Sequence, residues 1–359
     1  MAKKFLMMKN SVFLELWKSF RTKLLCTKKK YRYVHLMVND KFSAPFVKFI
    51  NEHFDARKHC FIFYNSNSKF VIPTQYENVV VCQLQSIDIN LQKVKKIFIH
   101  SLSATAVNWF YDNKSLLKRC YWIVWGYDIY GPENEQSRFV KENVKAVITN
   151  FDKTTYLNKY HKDKTIYELP FYPSIVTKKY LDSAIKNPAP ITVQINNSAD
   201  GSTLEMLDIL AKFSSKNLRI TTVLSYAQTQ FNEEIIKKGT ELFGDKFFAV
   251  TDYLEPEEYA NHIKNIDILI LNQSRQQGVG NIRCNLYLGH KVYIRSEITT
   301  YHGFINKGYK IFDSNKIKNM NFEEFIYMDK NDAHNNQRLL QSYFDDSELV
   351  ASWRYFLKI

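Results

Sequence analysis

"IDILILNQSRQQGVGNIRCNLYLG", residues 266 to 289, is an apolar run that breaks into polar residues and two glycines and then resumes a helical pattern. Six residues of that kind, bounded by turn formers, read as a buried strand of a parallel sheet. The chain leaves the strand through Arg275, Gln276, Gln277, Gly278, Val279 and Gly280. Glycine lets backbone approach a ligand closely, and the start of the next helix offers unpaired amides and a partial positive charge. With the guanidinium of Arg275 added, the segment suits an anion, a diphosphate best of all. It is neither the P-loop pattern nor the dinucleotide G-x-G-x-x-G pattern.

Outward from this stretch the same alternation recurs. Strands are expected at 33–38, 60–64, 79–82, 96–100, 121–125 and 146–149, with helices such as 44–54 and 104–111 between them. A second series follows at 191–195, 218–224, 247–250, 266–271 and 291–294. Strands alternating with helices form parallel sheets covered on both faces, so the fold class is α/β with two doubly wound units. Between the two series, "LPFYPSIVTKKYLDSAIKNPAP" carries four prolines and reads as a connector. The last stretch, from about residue 332, has helical spacing and is expected to pack back on the first unit.

The chain has 359 residues, enough for about two domains, and its 45% apolar and 15% aromatic content excludes a disordered chain. The net charge of +14 points to anionic partners: nucleic acid, phosphorylated small molecules or an acidic membrane surface. The five cysteines have neither zinc nor disulfide-framework spacing and read as reduced thiols of a cytoplasmic protein. In residues 1–30, Phe13, Trp17, Phe20 and Leu24 share one helical face beside many lysines. That suits an anionic bilayer surface, and equally a helix packed on the protein itself.

Ligands of open α/β sheets bind beyond the carboxyl ends of the strands. There the sequence places Asn197, Ser198, Asp200 and Ser202 after one strand, a set that could receive phosphate or simply form a polar βα loop. In the first unit His100 ends a strand and Asp128 lies in the turn "GYDIYG"; either could take a proton from a hydroxyl. No D-x-D triplet occurs, and no metal is called for.

The segments "HIKNIDILILNQSRQQGVGN", "VQINNSADGST", "VWGYDIYG" and "IFIH" resemble, in the same order, segments of the bacterial TDP-N-acetylfucosamine:lipid II N-acetylfucosaminyltransferases, glycosyltransferase family 56. The resemblance covers roughly residues 31 to 356; R-Q-Q-G-[VI]-G and W-G-x-D-x-Y are its most specific elements. It implies a GT-B fold of two facing Rossmann-like domains, the acceptor on the first and the nucleotide sugar mainly on the second. The implied boundaries are 1–30 for the basic amphipathic segment, 31–175 and 176–331 for the two domains, and 332–359 for the C-terminal helix. It also adds Ser225 and Tyr226 to the nucleotide side of the rim.

The implied activity is transfer of an N-acetylfucosamine-type sugar from a TDP-sugar to an undecaprenyl-diphosphate-linked saccharide, during surface polysaccharide assembly at the cytoplasmic face of the inner membrane. The implied partners are the donor, the lipid-linked acceptor and an anionic membrane surface, with no cofactor beyond the nucleotide sugar. The diphosphate would rest on Asn197 to Ser202 and on Gly278 to Gly280, with Gln276 and Gln277 orienting sugar hydroxyls or phosphate. Asp128, or else His100, would assist the acceptor hydroxyl. A UDP- or GDP-sugar is the alternative donor. A nucleic-acid-binding protein is the rival class, opposed by the scatter of basic residues and the lack of a nucleic-acid-binding signature.

Overall fold

The computed structural model describes residues 31–65, 70–87, 89–160, 163–184, 186, 190–225 and 231–358. The amphipathic segment expected over residues 1–30, and Tyr226, lie outside them. The chain divides into two compact units, with the boundary between Pro173 and Ser174.

The first unit is built on a seven-stranded sheet: β1 (Tyr33–Val38), β2 (His59–Asn65), β3 (Val79–Val81), β4 (Lys96–His100), β5 (Cys120–Ile123), β6 (Ala146–Thr149) and β7 (Thr165–Glu168). Their spatial order is β3-β2-β1-β4-β5-β6-β7, and every neighbouring pair is parallel. Helices such as Ser43–His53, Ala104–Asp112 and Glu135–Asn143 make the crossovers. The central strands are buried from end to end, which is why they read as unbroken apolar runs.

The second unit holds six parallel strands: β8 (Ile191–Ile195), β9 (Leu218–Val223), β10 (Phe247–Val250), β11 (Ile268–Leu271), β12 (Lys291–Ile294) and β13 (Phe312–Asp313). The order is β10-β9-β8-β11-β12-β13. In both sheets the chain winds outward from the first strand in one direction and then resumes on its other side. The strand order therefore reverses between β1 and β4 and between β8 and β11, and each reversal opens a crevice at the carboxyl ends.

The expected strands fall within a residue or two of those observed, with two omissions. β7 is an edge strand of sequence TIYE with mixed exposure, and β13 has only two residues, so neither carries an apolar run. The proline-rich connector forms a helix at Lys178–Ser183, and "GYDIYG" is a short helix, Gly126–Tyr130, rather than an open turn. The C-terminal stretch forms helices Lys330–Leu339, Gln341–Phe344 and Ser347–Lys358, with Leu349, Trp353 and Phe356 buried.

Packing in the second core is tight enough to leave no room at one helical glycine. A Cβ on Gly239, in helix Asn232–Phe243, would lie 2.4 Å from the ring of Phe247 on β10. Overpacking of this kind costs about 1–3 kcal/mol. Gly239→Ala should lower the unfolding free energy measured in urea by that amount, although alanine is the better helix former.

Candidate active site

Register sets the geometry of the second unit's crevice. β8 and β11 pair in parallel with Ile195 opposite Ile270, and the Asn196 amide donates to Ile270 O at 2.8 Å. The two strands thus end at the same height, and the loops that follow, 196–201 and 272–278, run side by side. Side chains then stitch them together. Gln277 Nε2 donates to Asn197 O at 2.9 Å, and Ser198 Oγ reaches Gln277 Oε1 at 3.4 Å. The Ser274 amide and hydroxyl both donate to Asp200 Oδ2, at 2.8 and 2.9 Å, while Asp200 Oδ1 accepts from the Ser202 amide at 3.1 Å. Burial alone would raise the Asp200 carboxyl, but these hydrogen bonds outweigh it and hold it at about 2. Asp200 is therefore an ionised clamp between loops.

Both loops end in a left-handed glycine that caps a nine-residue helix: Gly201 (φ 76°) before Ser202–Leu210 and Gly278 (φ 71°) before Val279–Tyr287. Neither glycine offers a side-chain cap; at Ser202 the first amide is taken by Asp200 Oδ1, whereas the first-turn N–H groups of helix Val279–Tyr287 have no side-chain partner among the described residues. At Gly278 a Cβ would sit 3.0 Å from Leu271 Cδ2 and 3.4 Å from Asn196 Oδ1, so the glycine is needed for space as well as for its φ. Gly280 faces open space, and Ser274 and Gly280 are exposed. Arg275 is half-buried and makes no hydrogen bond or ion pair among the described residues. Ser225 lies half-buried just beyond β9 on the same rim.

Four buried polar atoms beside this crevice have no hydrogen-bond partner among the described residues: Asn197 Oδ1, Ser202 Oγ, Gln273 Oε1 and Gln276 Oε1. An unpaired buried polar atom costs about 1–3 kcal/mol, and native proteins keep few of them. Their concentration on two adjacent loops marks a place prepared for a polar ligand. Beyond them, Arg295 and Asn272 both bind Glu205 Oε2, at 2.6 and 2.8 Å, and tie helix Ser202–Leu210 to the ends of β11 and β12.

In the first unit Asp128 lies on helix Gly126–Tyr130 and is 7% exposed. Its Oδ2 accepts from the Leu102 amide (2.9 Å) and from Trp122 Nε1 (2.8 Å), whereas Oδ1 has no partner among the described residues. Burial raises its carboxyl to about 7 in spite of those two donors. A carboxylate of that basicity with one oxygen unengaged is suited to proton transfer at neutral pH.

His100 is placed differently. Its ring is fully buried, with Nε2 3.1 Å from His35 Nδ1 and Nδ1 2.5 Å from the Tyr172 hydroxyl; His35 Nε2 in turn lies 3.0 Å from His59 Nδ1. Burial lowers all three imidazoles, to about 3 for His100 and about 4 for His59, so the row is neutral. With both nitrogens engaged, His100 can meet a substrate only through Tyr172. That hydroxyl also accepts from Trp125 Nε1 at 3.0 Å.

Sequence reasoning missed Ser274, Gln273, Asn272 and Tyr172. Gln273 and Ser274 sat inside the quoted stretch, but nothing local to them shows what they bind. Among the described residues no group of three or more His, Cys, Asp or Glu side chains is arranged to hold a metal ion, and no helix is long and apolar enough to cross a membrane.

Known structures share this architecture at low sequence identity. A glycosyltransferase from Rickettsia africae superposes with a TM-score of 0.66 at 12% identity, over 92% of this chain and 98% of that one. Anabaena Alr3699/HepE in complex with UDP and glucose gives 0.62 at 12%, over 92% and 100%. Sucrose-phosphate synthase from Thermosynechococcus elongatus gives 0.63 at 11%, over 92% and 98%. These likenesses establish the GT-B fold. Residues 94–297 match the family described as 4-alpha-L-fucosyltransferase, glycosyl transferase group 56. Since that match spans more than half the chain and includes both crevice loops of the second unit together with His100 and Asp128, the protein belongs to glycosyltransferase group 56 and is a glycosyltransferase.

Proposed function

We propose that the chain transfers a deoxyamino sugar of the N-acetylfucosamine type from a TDP-sugar to a hydroxyl of an undecaprenyl-diphosphate-linked saccharide, on the cytoplasmic face of the inner membrane. The observation that carries the donor half of this reading is the cluster of amide oxygens on loops 196–201 and 272–278 that have no partner among the described residues, beside an uncapped helix start and an Arg275 likewise without a partner among them. The acceptor and the membrane face rest on the family and on the net charge of +14, which favours an anionic surface.

In this mechanism the diphosphate lies against the amides of Val279 and Gly280, with Arg275 as counter-charge. As the anomeric C–O bond breaks, negative charge grows on the leaving phosphate. Donors already aimed at it stabilise the transition state without reorganising and replace a metal ion. Asp200 takes no part in binding phosphate; it and Gln277 hold the two loops in register. Asp128 Oδ1 accepts the proton of the attacking acceptor hydroxyl. Tyr172, backed by His100, helps place that hydroxyl.

Three measurements test these assignments. In a thermal-shift panel of TDP, UDP, GDP and CMP, TDP should raise the melting temperature most, since a ligand that binds only the folded state stabilises it. A larger shift with UDP or GDP would replace the proposed base. Arg275→Ala should cut turnover by about 10²–10³ with an unchanged melting temperature, and the wild-type rate should persist in EDTA. Near-normal turnover of the variant would remove Arg275 from the phosphate site.

Asp128→Asn should abolish most turnover yet stabilise the fold in a pH-dependent way. The folded chain raises this carboxyl from 3.8 to about 7, so the protonated form is preferred when folded. Stability from this group is fully present below pH 4 and is lost as pH rises towards 7, because the unfolded chain ionises first. Asparagine keeps an acceptor for Leu102 and Trp122 and carries no charge. Its melting temperature should exceed that of the wild type at pH 8 and match it near pH 4. An equal difference at both values would show that Asp128 is not a strained acid.

A further inference from the structure

Three of the four unpartnered atoms of the donor crevice are of one chemical kind. Asn197 Oδ1, Gln273 Oε1 and Gln276 Oε1 are amide carbonyl oxygens, which accept hydrogen bonds and cannot donate them. A diphosphate is itself an acceptor and leaves all three unsatisfied. Only a ligand that brings O–H or N–H groups can pair with them.

Two of the assignments are fixed by the other end of the same side chain. Gln273 is fully buried, and its Nε2 donates to Gln277 O at 3.3 Å, which turns Oε1 to the unpaired side. Asn197 Nδ2 donates to Asn232 Oδ1 at 3.2 Å, with the same consequence for its Oδ1. Gln276, three residues after Gln273 on the same loop, is 7% exposed and makes no other hydrogen bond among the described residues.

We propose that Gln273 and Gln276, with Asn197 from the facing loop, form the subsite that reads the glycosyl group of the donor, by accepting from its hydroxyl or acetamido N–H groups. This rests on the donor reading given above and divides that site in two. The amides of Val279 and Gly280 with Arg275 take the phosphates, and the carbonyl oxygens take the sugar. The oxygens are closed off from water, so the loop yields slightly as the donor enters. The movement falls on Arg275 and Gln276, whose side chains are tied to nothing among the described residues, while Ser274 stays held by Asp200. Because a polar site that expects a donor rejects ligands lacking one, these residues set sugar specificity more than nucleotide affinity.

Ribose hydroxyls offer the same chemistry, and the test separates the two sources. Affinities of TDP, UDP and TDP-N-acetylfucosamine are measured by calorimetry for the wild type and for Gln273→Met, Gln276→Met and Gln277→Met. Methionine keeps the length of the side chain and removes the amide. Gln276→Met and Gln273→Met should each weaken the nucleotide sugar about tenfold and leave TDP and UDP within twofold. Gln277→Met, which cuts the bonds between the loops, should weaken all three ligands together.

Loss of UDP affinity alone in the first two variants would assign the oxygens to ribose and overturn the proposal. Equal loss of every ligand, or no loss at all, would overturn it as well. If Gln273→Met fails to fold, Gln276→Met decides the matter, since it breaks no internal bond. Failure of the folded wild type to bind any of the three ligands would instead count against the donor reading itself.

Discussion

Parallel pairing of β8 with β11 is the constraint on which the donor side of the molecule depends. It brings Asn196 and Asn272 to the ends of adjacent strands, and only then can residues some 75 positions apart form one structure. The cross-loop bonds follow from that register. Ser274 could not meet Asp200, nor Gln277 the carbonyl of Asn197, if either strand were shifted by two residues. Gly278 completes the arrangement. Its left-handed φ turns the chain sharply enough for helix Val279–Tyr287 to begin at the crevice, in a space where Leu271 admits no side chain.

Stability is given up at both candidate centres, in different ways. The second unit leaves carbonyl oxygens unpaired beneath a loop, and the first keeps an acidic group where burial disfavours its charge. Within the sheet of the second unit Thr222 Oγ1 on β9 also lacks a partner among the described residues, but other buried polar groups of the strands are satisfied. Gln194, buried within β8, binds His262 at 2.9 Å, and Lys291 of β12 binds the carbonyls of Glu324 and Phe325. That contrast gives the unpaired atoms their meaning: a chain able to satisfy such groups in its core leaves them open where a ligand is to supply the partner.

Local pattern determined what could be read from the sequence. β1, β4, β6, β8 and β12 were visible because a parallel sheet buried on both faces demands continuous apolar runs. β7, at an edge, makes no such demand. At the crevice, the left-handed turn at Gly278 was legible because a required backbone conformation is a property of a single residue. Roles that depend on a distant partner were not. The bonds of Asp200 to Ser274, and the contacts of the two His100 nitrogens with His35 and Tyr172, have no signal in the local pattern. Tyr172 stands in the proline-rich segment, where no periodicity points to a role for it.

The same long-range information separates two helix starts that look alike. Both begin with a left-handed glycine, both lack a side-chain cap, and both lie beside the reversal between β8 and β11. By amide geometry alone either would receive an anion. At Ser202, however, the first amide is already taken by Asp200, whose carboxyl is held at about 2 and so stays negative throughout the physiological range. A phosphate there would lose a donor and meet a like charge at close range. At Val279 no side-chain carboxylate accepts from the first-turn amides among the described residues, and Arg275, four residues before it, makes no ion pair among them. Helix Ser202–Leu210 therefore buttresses the loops, and on the donor reading proposed above the partial positive charge of helix Val279–Tyr287 is the one that faces the leaving group.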